Sequence, residues 1–193
     1  MVEIQENNMI QVPKTLEEFM EWEQPDDGFK YEWNDGEIIK FQGMNKKQIF
    51  IFDVLNLLFI EKGLYKKGSL IPESDVQLSG IQMRRPDIAY FTREQSYQGR
   101  EGIDVIPDFA IEVISSGDKL VDVENKLIEY FKAGAGGVPL KVVWHIIPEQ
   151  EVVYVYTSRS EVKICFDKDI CSAKPVLEDF EISVEDIFKD YKK

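Results

Sequence analysis

The stretch from Arg84 to Phe131 constrains the fold more than any other part of the chain. It reads RRPDIAYF, then a polar segment, then IPDFAIEVISSGDKLVDVENKLIEYF. Two short β-like runs each enclose one acid: Asp87, directly after Pro86, and Glu112, within FAIEVIS. An amphipathic helical segment follows and carries Lys126, with Glu129 and Tyr130 just beyond it. An ionised carboxylate inside a buried strand is costly unless it is paired or bound to a cation. Two of them close together repel, so one is partly neutralised or a metal ion lies between them. The pattern predicts a divalent-metal site built on a sheet, with Asp87 and Glu112 as ligands and Lys126 as a nearby cation.

The flanking sequence supplies the rest of a layered α/β fold. Residues 1 to 13 read as an extended lead-in. Thr15, followed by Glu18 three residues on, is a capping-box pattern opening a short helix with Leu16, Phe19 and Met20 on one face. FKYEW and EIIKF flank Asn34-Asp35-Gly36, a hairpin signal, and Glu32 lies in the first of these strands. Asn45 to Lys62 has helical length, and Ile49, Phe52, Val54, Leu55, Leu58 and Phe59 mark its apolar face; Gly63 ends it. SDVQL, RRPDIAYF and DFAIEVIS read as three strands. TREQSYQGREGIDVIP between the last two reads as a loop with one helical turn.

Asp118 to Phe131 returns to helical spacing, with Leu120, Val123, Leu127, Tyr130 and Phe131 as the buried stripe and Ser116 or Asp118 as its cap. After the Gly-rich link, KVVWHII, EVVYVYT and EVKICF form a three-strand meander, and FEISVEDIFKDY gives a short strand and a terminal helix. The expectation is one domain over residues 1–193, with a mixed sheet flanked by helices and preceded by a helix and a hairpin.

Composition narrows the setting. A 44% hydrophobic content allows a substantial core in 193 residues. The longest apolar run, Ile49 to Ile60, is interrupted by Asp53 and Asn56 and is too short to span a bilayer. MVEIQENN has neither the basic region nor the apolar core of an export signal, and Cys165 and Cys171 read as ordinary thiols. A cytoplasmic protein is expected. The net charge of −13 gives no general attraction to nucleic acid. The basic candidates Lys46, Lys47, Lys66, Lys67, Arg84, Arg85, Arg93 and Arg100 are scattered in sequence.

RRPD, PDFAIEVISSGD, ENKLIEYFKAG and VVWHIIP, in that order and with the early hairpin YEWNDGEI, resemble the Uma-two family of endonucleases. That family lies within the PD-(D/E)XK restriction-endonuclease-like superfamily. The resemblance runs from the first helix to FEISVEDIF. It implies a restriction-endonuclease-like fold, with Asp87 as the motif Asp and Glu112 as its Asp/Glu. The superfamily's usual Lys position is occupied by Ile114 here. The resemblance places that function on the following helix, at Lys126, and makes Glu32 a fourth acidic member of the catalytic set. Where relatives often carry a His near the start of the core helix, this chain has Gln48. The only His, His145 in KVVWHII, is given no role.

Magnesium takes oxygen ligands, uses few carboxylates and keeps several waters, which suits such a pair; manganese is its natural substitute. The expected function is metal-dependent hydrolysis of DNA phosphodiester bonds. The alternative is a catalytically silent nuclease fold serving interaction or regulation, to which the acidity and Ile114 point. A homodimer is expected, because one compact site cuts one strand at a time, with an edge among the C-terminal strands as its contact.

Overall fold

Asp35 and Gly36 both adopt positive φ, 48° and 90°, in the two-residue turn that matches the twist of a hairpin. They join β1 (Lys30–Asn34) to β2 (Glu37–Phe41), with Glu32 opposite Ile39. The structure, a computed structural model, describes residues 12–132 and 139–189. The expected lead-in and Gly-rich link therefore lie almost wholly outside the described residues. Before the hairpin, α1 (Leu16–Met20) is capped by the Thr15 hydroxyl, which accepts the Glu18 N–H. Leu16 and Phe19 pack on Tyr31, Trp33 and Met83, whereas Met20 points outward.

The main helix α2 (Lys46–Glu61) opens on a capping box formed by Asn45 and Gln48 and ends at Gly63, in the left-handed region at φ 67°. Its buried face is Ile51, Leu55 and Phe59, with Phe52, Val54 and Leu58 alongside. Ile49, expected inside, is 50% exposed. Apolar residues surround this helix on all sides, so their spacing did not fix which face turns inward. A single 3-10 turn (Leu64–Lys66) leads to β3 (Gly68–Pro72), a strand the sequence reading did not assign. It is short, and Pro72 ends it at the rim of a sheet, where a missing N–H costs nothing.

Next come β4 (Val76–Ser79), β5 (Gln82–Arg84) and β6 (Ile88–Thr92). The expected loop after β6 begins as α3 (Arg93–Arg100), an eight-residue helix capped by Thr92 and Gln95. None of its residues is buried, so it carries no apolar stripe for the sequence to show. β7 (Phe109–Val113) is buried throughout. In α4 (Leu120–Tyr130) Leu127 and Tyr130 face inward, but Leu120 is 75% exposed. Neither Ser116 nor Asp118 caps it: Lys119 holds the cap position, and the Asp118 carboxylate accepts from Ser115. The meander follows as β8 (Val142–Ile147), β9 (Val152–Tyr156) and β10 (Val162–Phe166). An unassigned strand, β11 (Ile170–Ala173), pairs with β12 (Leu177–Ser183) before α5 (Val184–Phe188).

The central sheet has the order β10-β9-β8-β7-β6-β3 and is mixed: β7 and β8 are parallel, the other pairs antiparallel. The helix α4 makes the crossover that a parallel pair requires. One sheet face packs on α2, α5 and the β11–β12 ribbon. The other packs on α4 and on β4 of a second sheet, ordered β2-β1-β5-β4. The expected architecture of a mixed sheet flanked by helices, with an N-terminal helix and hairpin, is what the structure has. Among the described residues no helix is long and apolar enough to cross a membrane.

Candidate active site

Alternation along β7 points Ala110 and Glu112 to the α4 face, while Phe109, Ile111 and Val113 join the opposite core. Ile88 pairs with Ile111, which brings Asp87, one residue before β6, alongside Glu112. The Asp87 carboxylate accepts the Val113 N–H at 2.6 Å. From α4, Lys126 and Tyr130 reach down onto Glu112 from positions four apart, on one helix face. The Tyr130 hydroxyl donates to Glu112 Oε1 at 2.5 Å, and Lys126 Nζ lies 3.5 Å from the same oxygen. Glu32 arrives on the hairpin, with Oε1 2.8 Å from Lys126 Nζ. The structure thus brings together all four residues singled out in sequence: Glu32, Asp87, Glu112 and Lys126.

A second tier was not singled out. Arg84 donates through Nε and Nη2 to the two oxygens of Glu129, at 2.6 and 2.9 Å, and through Nη1 to Glu32 Oε2 at 3.1 Å. The Arg85 N–H donates to Glu32 Oε1 at 2.8 Å, and its side chain pairs with Asp75. Both arginines are buried, so neither contributes to a basic surface. Both oxygens of Glu32 are therefore committed to Arg84, Arg85 and Lys126. A signal for this tier was present, since Lys126, Glu129 and Tyr130 share one helix face. Nothing in the local sequence indicated that Arg84 would meet them. Gln48, at the start of α2, donates to the Val113 carbonyl at 2.6 Å, and the Phe41 ring lies 5.5 Å from Lys126 Nζ.

The cluster's charges do not balance. Glu32, Asp87, Glu112 and Glu129 face Arg84 and Lys126, so two negative charges are unmatched when all four carboxylates are ionised. The excess is expressed at Asp87 and Glu112. Burial, then the charge of Glu112, raises the Asp87 pKa well above the ordinary carboxylate value. Burial likewise raises that of Glu112, against the opposing pull of Lys126 and Tyr130. Burial acts against the Lys126 ammonium, but Glu112, Glu32 and Asp87 outweigh it and hold its pKa above the usual lysine value. Lys126 is thus a fixed positive charge at neutral pH, and Tyr130, its pKa pushed well up by burial and by Glu112, is a fixed donor.

Among the described residues no three His, Cys, Asp or Glu side chains converge as a metal-ligand group. Asp87 and Glu112 offer two hard oxygen donors, and their joint excess equals the charge of one divalent cation. Such a donor set fits magnesium or manganese, which keep water in their remaining positions. His145 lies opposite Glu112 in the parallel register, so it shares the same sheet face. It is buried against Tyr156, its Nε2 has no hydrogen-bond partner among the described residues, and burial with the charge of Lys126 lowers its pKa to about 4.

The family model Uma2, described as "Putative restriction endonuclease", matches residues 16–185. A crystal structure from Anabaena variabilis, described as a putative nuclease belonging to DUF820, matches with a TM-score of 0.72. Its identity is 20%, over 92% of this chain and 98% of that one, a likeness that shows the fold. No curated protein matches the sequence.

Proposed function

The chain belongs to the Uma2 restriction endonuclease family, and from that premise we propose that it is a metal-dependent endonuclease that hydrolyses DNA phosphodiester bonds. One observation carries the proposal: a buried carboxylate cluster with two unmatched negative charges, centred on Asp87 and Glu112 and facing a permanently charged lysine. Asp87 and Glu112 would hold the magnesium ion. When bound, such an ion polarises a phosphodiester oxygen and lowers the pKa of water.

The chain's own residues do the rest. Tyr130 and Lys126 both engage Glu112 Oε1, which orients that carboxylate. The Val113 N–H does the same for Asp87. Lys126, unable to give up its proton at neutral pH, acts as a preorganised cation opposite the charge that develops on phosphate. Glu32 is a positioning residue: held by Arg84 and the Arg85 N–H, it fixes Lys126. This refines the expectation that it joins the catalytic set directly.

The test is nicking of supercoiled plasmid at low salt with magnesium or manganese. The parent is compared with Glu112→Gln, which retains an acceptor for Tyr130 but removes the charge. Loss of nicking in the variant is the expected result. Equal nicking by both proteins sinks the assignment.

A further inference from the structure

The outward face of α2 carries a row of exposed apolar side chains. Phe50 is 64% exposed, Leu57 52%, Ile49 50% and Ile60 49%, against a helix whose inner face is almost wholly buried. Lys46, Phe50, Asp53, Leu57 and Ile60 follow one another at steps of four and three, the seam spacing of paired helices. Exposed apolar side chains in so regular a row mark an interaction surface.

The order of residues along the row identifies the partner. About Val54 the pattern is self-complementary when reversed. Lys46 lies eight residues before Val54 and Glu61 seven after; Ile49 and Ile60 lie five and six away; Phe50 and Leu57 four and three; Asp53 and Asn56 one and two. Each mismatch is one residue, about 1.5 Å along the axis. An antiparallel copy of the same helix therefore sets Lys46 against Glu61, apolar against apolar, and the Asn56 amide against the Asp53 carboxylate, each contact made twice. A parallel copy would set Lys46 on Lys46 and Glu61 on Glu61. We propose that two copies of this chain dimerise through antiparallel pairing of their α2 helices about a two-fold axis near Val54.

Reciprocal contact of this kind is what a closed two-fold interface requires. The expected alternative, an edge among the C-terminal strands, is less open than its sequence suggests. At β10 the Phe166 N–H and C=O are already taken by Asp169, which closes one end of that edge to another strand. Pairing through α2 also relates the two candidate sites. Gln48, bonded one residue from Glu112, would lie about 18 Å along the helix axis from the same residue of the second copy. The dimer does not depend on nuclease activity, so its test stands apart from the plasmid assay.

Sedimentation of the full chain across micromolar concentrations, with circular dichroism to verify folding, tests the pairing. The parent is expected to sediment as a dimer, and Phe50→Glu and Leu57→Glu as folded monomers. Glu61→Lys alone sets like charges together twice and is expected to weaken the dimer at least about tenfold. Adding Lys46→Glu to Glu61→Lys is expected to restore it. A parent that is monomeric throughout overturns the proposal, as does a dimer that ignores these substitutions and dissociates instead with Ile164→Glu on β10.

Discussion

Arg84 and His145 show two opposite ways of burying a polar side chain. The Arg84 guanidinium meets Glu129 with two donors and Glu32 with a third. The His145 Nε2 finds no hydrogen-bond partner among the described residues. Removing one partner of a buried ionic set leaves its carboxylates uncompensated and costs about 3–5 kcal/mol. Removing an orphaned group recovers part of a penalty of about 1–3 kcal/mol. Arg84→Met is therefore expected to destabilise the protein severely and His145→Leu to stabilise it, both read by urea unfolding at pH 7. Equal effects of the same sign would contradict the network as described. The acids were legible because a charge inside an apolar run stands out. Arg84 was not, because its partners lie 45 and 52 positions away in the chain.

At the scale of elements, the edge strand β3 is held close to its neighbour. A Cβ at Gly68 would meet the Phe91 carbonyl oxygen and, at 2.7 and 2.8 Å, the Tyr90 ring. The backbone partner cannot move without breaking the β3–β6 register, in which Gly68 faces Thr92. Gly68→Ala is expected to cost more than about 2 kcal/mol, beyond the range of ordinary surface changes. Gly36→Ala meets no atom within 4 Å and loses only its backbone freedom at φ 90°, so its cost is expected to be about 1 kcal/mol. Denaturant midpoints for the two variants check the order; a reversed order would mean that β3 is looser than its contacts indicate. The hairpin and α2 were readable because a turn dipeptide and a long apolar segment ended by Gly63 are local signals. The strands β3 and β11 were not, since short rim strands gain their stability from the neighbours they pair with.

For the whole molecule, the unmatched charge is expected to make stability depend on pH and, through the proposed ion, on metal. Asp87 and Glu112 have raised pKa values when folded, so the native state binds more protons than the unfolded chain above the ordinary carboxylate range. Stability from these two groups is therefore greatest at low pH and falls as pH rises through their raised values. His145 has the opposite sign: with its pKa lowered from 6.5 to about 4, its contribution falls as pH drops through that interval. Above that interval His145 adds no further pH dependence. With a chelator present, the melting temperature is expected to decline as pH rises through the raised values of the two carboxylates. Magnesium at a hundred times its dissociation constant is expected to restore about 2.7 kcal/mol. The magnesium effect should vanish in Glu112→Gln. Melting curves that ignore magnesium at every pH would reject the metal site.

Glu32 joined the expected site only through the family resemblance; the sequence by itself determined the hairpin, the main helices and the buried strands, and put forward Asp87, Glu112 and Lys126 as a group. Each announces itself over a few residues, through periodicity, a turn or the cost of a charge among apolar neighbours. Only the tertiary structure decided which face of α2 turns outward, that Glu32 serves Lys126, and that Arg84 and Glu129 complete the cluster. Those outcomes depend on elements meeting across the sheet, and the energy of a buried charge is set by its neighbours in space.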